Sequence, residues 1–162
     1  MNAQRKFMWT ALATAAVLAA PLSSYAQAPA NQLTLADAQK IIDTAQKTAT
    51  GMNLRVSIAI VDARGDLIAV GRMPGAGAAT PDTATCKAMM SAIYGQPSAA
   101  LVQRATSPIT QGLNDATGGR LRFFQGGVPI IRNGQIVGAV AASGATSQQD
   151  EEIAKSALTA VS

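Results

Sequence analysis

The chain has 162 residues, a formal charge of +4 and no histidine, which excludes a Ser-His-Asp triad, a Cys-His pair and most zinc chemistry. Its Lys and Arg residues form no stripe interleaved with aromatics, so the pattern of a nucleic-acid-binding surface is missing. Cys86 is the only cysteine, and an internal disulfide cannot form even where the compartment would permit one.

The chain opens on a leader. Arg5-Lys6 gives a basic start, residues 7–20 are apolar, Pro21 breaks the run, and Ser24-Tyr25-Ala26 places small residues before a cut. That is the secretory signal-peptide pattern over residues 1–26, with cleavage between Ala26 and Gln27. The apolar run falls short of the ~20 residues a spanning helix needs, so no stable membrane span is expected after cleavage. Arg5-Lys6 is not a twin arginine, and no cysteine near the cut offers a lipid anchor. Two of the positive charges leave with the leader, and the rest suits a single domain of ~100–200 residues, periplasmic or secreted.

Residues 27–32 read as a flexible polar and Pro/Ala lead, and 33–162 as the domain. Thr34 caps a helix from 35 to about 50, with Asp37 at its positive end and Ala38, Ile41, Ile42, Ala45 and Ala49 on one face. Val56, Ile58 and Ile60 alternate as a strand, Asp62-Ala63-Arg64-Gly65-Asp66 is a turn, and residues 67–73 return as its hairpin partner. Small residues between the apolar ones predict that both faces of this hairpin are covered. A Gly/Ala loop, Pro74-Gly75-Ala76-Gly77-Ala78-Ala79, leads to Thr80 as N-cap and Pro81 at the first helical position.

That helix is expected to reach about Tyr94, and residues 98–105 suggest a short second one. Residues 107–119 read as irregular or only partly helical, and 121–124 as a short strand. Gly126-Gly127 precedes a strand over 128–131, in which Pro129 argues for an edge. Asn133-Gly134 is the strongest hairpin turn, and residues 135–142 return with Ile136, Gly138, Val140 and Ala142 on one face. Thr146 and Gln149 form a capping box, which accounts for the acidic run Asp150-Glu151-Glu152 at the start of a last helix. Two separate hairpins flanked by helices predict an α+β fold with a central antiparallel sheet.

Chemistry is sparse in this pattern. Gly75 and Gly77 lie between a strand and a helix N-terminus, where backbone N–H groups can hold an anion. Arg72 just before the loop and Lys87 one turn into the helix would add positive charge to the same spot; the plain alternative is a loop with two solvated bases. The loop lacks the Gly-Lys-Ser/Thr ending of a P-loop and the third glycine of a dinucleotide fingerprint. Asp62, Asp66 and Asp82 match no calcium-loop spacing, and the first two sit where a turn wants them. Met73, Met89 and Met90 read as core filler, although methionine sulfur also serves as a haem ligand. Cys86 reads as a small buried residue, with a thiol ligand, a redox-sensitive group or an inter-subunit bridge as sharper readings.

Three ordered blocks carry a resemblance. They are Asp62-Ala63-Arg64-Gly65-Asp66-Leu67-Ile68 with Gly71-Arg72-Met73-Pro74-Gly75-Ala76 and Lys87-Ala88; Gly126-Gly127-Val128-Pro129-Ile130 with Asn133-Gly134-Gln135-Ile136-Val137-Gly138-Ala139; and Ser143-Gly144-Ala145-Thr146 with Asp150-Glu151-Glu152-Ile153-Ala154. Together they resemble the GlcG/HbpS family of haem-binding proteins, which is also similar to the C-terminal domain of PduO. The resemblance implies a profilin-like fold, a homo-oligomer, and haem or a related tetrapyrrole as ligand. Arg72 and Lys87 match family positions and, with Gly75 and Gly77, are the candidate ligand contacts. Pro74 departs from the acidic residue often found there. Lack of histidine leaves Met, Tyr, Cys or a hydroxyl to ligate iron. The expected function is a haem-binding or sensing accessory; a small organic acid held at Arg72, or degradation of bound haem, are the alternatives.

Overall fold

The computed structural model describes residues 31–161, so the expected leader and the first four residues of the lead lie outside it. Helix α1 (Leu35–Gly51) starts on a reciprocal capping box: the Asp37 N–H donates to the Thr34 hydroxyl, and the Thr34 N–H donates to the Asp37 carboxylate. Its buried residues are the five read from its spacing. Strands β1 (Ser57–Asp62) and β2 (Leu67–Arg72) follow as an antiparallel hairpin. Helix α2 (Thr80–Tyr94), a 3-10 helix (Ser98–Arg104) and helix α3 (Pro108–Ala116) precede the second hairpin, β3 (Gly127–Arg132) and β4 (Gln135–Ser143). Helix α4 (Ser147–Ala157) and a 3-10 turn (Leu158–Ala160) close the chain.

The two hairpins join through β1 and β4 into one antiparallel sheet, ordered β2-β1-β4-β3. The expected α+β architecture is what forms. One face carries α1 and α4 over Ile58, Ile60, Val128, Ile130, Val140 and Ala142. On the other, α2 sets Ala88 and Ala92 against Val61, Ala139 and Ala141. Small residues on both partners let this helix lie close to the strands. Gly138 shows how close the chains run: a Cβ there would sit 2.2 Å from the Val61 carbonyl oxygen.

Several expectations need correction. Only the inner strand of the first hairpin is covered on both faces. As a sheet edge with no strand beyond it, β2 leaves Leu67 and Val70 half-exposed. Residues 121–124 form no strand, because they lie over α2, where Leu121 and Phe123 pack with Met89 and Met90 instead of pairing with an edge. Residues 107–119, read as irregular or only partly helical, are helical over α3. Thr80 does not cap α2; it is the first helical residue, after Ala79. Its hydroxyl bonds the Gly77 carbonyl and the Ser57 hydroxyl, which ties the helix start to β1. The end of the expected flexible lead is held too, since Asn31 donates to Gln135 and the Gln32 carbonyl accepts from Arg132. Pro129 does mark an edge strand, and Asn133 and Gly134 both take the positive φ their turn requires.

Gly138→Ala is expected to destabilise the fold by about 1–3 kcal/mol in urea unfolding, since the strand cannot admit a methyl without moving β1. A second expectation concerns acid. The Thr34 N–H, with Arg132 3.3 Å away, holds the Asp37 carboxyl below the usual aspartate value of 3.8. A depressed folded pKa adds stability above the unfolded value, and that stability is lost as pH falls through the folded one. Asp37→Asn is therefore expected to be less stable than wild type at neutral pH, with the gap closing below about pH 3.8 when unfolding is followed across the acid range.

Candidate functional site

Three of the four residues singled out from sequence share one loop. Arg72 ends β2, is exposed, and folds back so that Nε and Nη2 both donate to the Ala76 carbonyl, the former at 3.1 Å. That clasp closes the loop around Gly75, whose φ of +85° few side chains tolerate. The Ala76 N–H bonds the Met73 carbonyl, and the Thr80 N–H bonds the Gly77 carbonyl. Among the described residues nothing in the chain accepts from the Gly75 or Gly77 N–H. The loop therefore presents free amides and a guanidinium whose Nη1 is unspent, a combination suited to a carboxylate or phosphate oxygen.

Lys87 lies elsewhere. It is the eighth residue of α2, two turns in rather than one. Its side chain runs under β4, where Nζ stands 2.7 Å from Asp150 Oδ2 and donates to the Ala142 carbonyl at 3.2 Å. Both charged side chains are under 5% exposed. Asp150 Oδ1 accepts from the Ala145 N–H at 3.0 Å, so the carboxylate closes the β4–α4 connection as well. Burial pushes the Asp150 carboxyl up, against the pull of the Lys87 ammonium and the Ala145 and Gly144 N–H groups. Helix capping therefore does not fully account for the acidic run. Asp150 is a buried partner, and Glu151 is buried with Gln125 and Lys155 on its oxygens. The available sequence signal was Lys87 itself, a base among the small residues Ala84, Ala88 and Ser91 on the buried face of α2.

The other candidates divide by burial. Met73 is packed in the core under α1, and Met89 and Met90 in the cluster with Leu101, Leu121 and Phe123. Cys86 and Tyr94 remain partly open along α2. Burial pushes the Cys86 thiol up, while the Arg122 and Arg120 guanidinia beside it pull it down. Arg104 lies 5.8 Å from the centre of the Tyr94 ring. Asp62 is a turn residue, its Oδ1 accepting from the Arg64 and Asp66 N–H groups.

Breaking the Lys87–Asp150 pair by Lys87→Met is expected to cost about 3–5 kcal/mol, because an unpaired carboxylate stays buried. Adding Asp150→Leu should recover part of that loss, and urea denaturation of the two variants measures the difference.

Residues 33–159 match the family model described as haem degrading protein HbpS-like. An uncharacterized 15.0 kDa protein from the dhaT-dhaS intergenic region of Citrobacter freundii is 32% identical over 135 residues, covering 78% of this chain and 89% of its own. A crystal structure of a PduOC–haem complex superposes with a TM-score of 0.71 at 27% identity, over 80% of this chain and 95% of that one. An HbpS double mutant from Streptomyces reticuli gives 0.72 at 27% identity, over 93% and 99%. The fold is thus shared with these structures, and the chain is a member of the HbpS-like family.

Proposed function

We propose that this protein binds haem or a related tetrapyrrole outside the cytoplasm, as a homo-oligomer in a binding or sensing role. The observation that carries the reading is membership of a family in which a relative of the same fold is a haem complex. The residues present suit such a ligand. Cys86 and Tyr94 are the partly open candidate donors for iron along α2, in a chain where histidine is absent and the three methionines of this region are buried. Arg72 and the Gly75 and Gly77 amides are the proposed contacts for the ligand's carboxylates. Lys87, already held by Asp150, acts by keeping α2 in place. Bound haem would supply iron redox chemistry; the chain would supply a donor to the iron and the charge that orients the ring.

Self-association is supported by α3, where Ile109 is 85% exposed and only Thr110 is buried. An apolar helix face left open in this way suits a second copy of the chain. An extracytoplasmic location rests on the leader pattern, and amino-terminal sequencing of the exported protein should begin at Gln27.

Haemin titrated into the purified protein should give a saturable, shifted Soret band at a fixed ratio per chain. Either Cys86→Ser or Tyr94→Phe should change that band's position. Arg72→Ala is expected to cost about 1 kcal/mol of binding, roughly fivefold in Kd. A band identical to free haemin would overturn the reading. Degradation is the second reading, favoured by the family's description: peroxide added to the loaded protein would then release a defined linear tetrapyrrole rather than bleach it.

A further inference from the structure

The end of the sheet away from the Arg72 loop holds a cavity of about 500 Å³, within the size range of small-molecule sites. Its construction is unusual in using two β-bulges. In the first hairpin Ile60 pairs with Ala69 and Val61 with Leu67, so Ile68 is an extra residue. In the second, Ile130 pairs with Gly138 and Ile131 with Ile136, so Val137 is extra. A bulge re-aims a side chain at the expense of ladder pairing. Here both extra residues are turned toward the α1 face, and both line the cavity. Leu33, Ala63 and Ile136 complete its apolar lining, with the tip of the Ile136 side chain reaching Gly95.

The polar atoms around this floor can be accounted for one by one. Asp62 Oδ1 accepts two backbone N–H groups, and Oδ2 faces Arg64 Nε at 3.5 Å. Gln135 Oε1 accepts from Asn31, whose own carbonyl oxygen accepts from Asn133. Still unspent within the described residues are Arg64 Nη1, Gln135 Nε2 and the Gln32 amide. The free groups are thus mainly donors. Among the lining residues the only charges are Arg64 and Asp62, which face each other and cancel. Neither sign of ligand charge meets an unpaired opposite charge among the lining residues.

We propose that this cavity is a second ligand site, separate from the proposed tetrapyrrole contacts, for a small uncharged amphiphile. Its hydrocarbon part lies on Leu33, Ile68 and Val137, and its carbonyl-type oxygen accepts from Gln135 Nε2 and Arg64 Nη1. Three probes of equal chain length separate the charge classes: hexanamide, hexanoate and hexylammonium. Amide shifts in ¹⁵N spectra of the purified protein would be followed at residues 31–33, 62–68 and 135–137. Hexanamide is expected to move them saturably in the millimolar range, at least fivefold more tightly than either charged probe.

Gln135 is exposed, so two substitutions there spare the core. Gln135→Trp, which blocks the mouth, should abolish the shifts, and Gln135→Leu, which removes the donor, should weaken hexanamide several-fold. Tighter binding of hexanoate or hexylammonium would overturn the assignment of ligand class. No shift with any probe, or shifts that survive Gln135→Trp, would overturn the site. Haemin binding by the same samples reads the tetrapyrrole proposal independently.

Discussion

The buried ion pair between Lys87 and Asp150 joins elements that the chain order keeps far apart. Sixty-three residues separate the partners, and between them they fix α2, the end of β4 and the first turn of α4. Two charges taken out of water stabilise a fold only when their remaining hydrogen-bonding capacity is also used. Here the lysine has the Ala142 carbonyl and the aspartate has the Ala145 N–H, so the desolvation cost is offset from three directions. The pair also fixes α2 against the sheet, and α2 carries both donors proposed for iron.

Close approach is the second condition. A Cβ at Gly127 would stand 2.5 Å from the Lys87 carbonyl oxygen, so β3 begins where α2 leaves no room for a side chain. The Ser98 hydroxyl accepts from the Gly127 N–H at that point, which draws the 3-10 helix into the same junction. Alanines on α2 and β4 serve the same end by letting the helix settle onto the sheet. Larger side chains would lift the helix and lengthen the ion pair, whose attraction falls with distance.

With the centre of the sheet committed to packing, chemistry is displaced to its margins. The Arg72 loop at one end offers unspent amides and a guanidinium, a setting for negative charge. The bulged end offers an apolar floor under amide and guanidinium N–H groups, with the Asp62 carboxylate already engaged. Histidine is absent, and Met73, Met89 and Met90 are used as core, which leaves few side chains for iron ligation.

Local periodicity and turn chemistry in the sequence determined most of the architecture. Capping boxes at Thr34 and Thr146, alternation in β1 and β4, the Asn133-Gly134 turn and the edge position of Pro129 all depend on contacts only a few residues long or on one backbone constraint. The Gly loop and Arg72 were legible for the same reason, since four residues separate the guanidinium from the carbonyl it clasps. Tertiary structure alone decided the rest. An acidic residue at a helix start satisfies a local rule whether it faces water or a buried lysine, so Asp150 read as a cap. Leu121 and Phe123 alternate like a strand, but only the packed fold shows that they cover α2. The bulges at Ile68 and Val137 are departures from register, a property of two strands together, and the cavity they line could not be read from either strand alone.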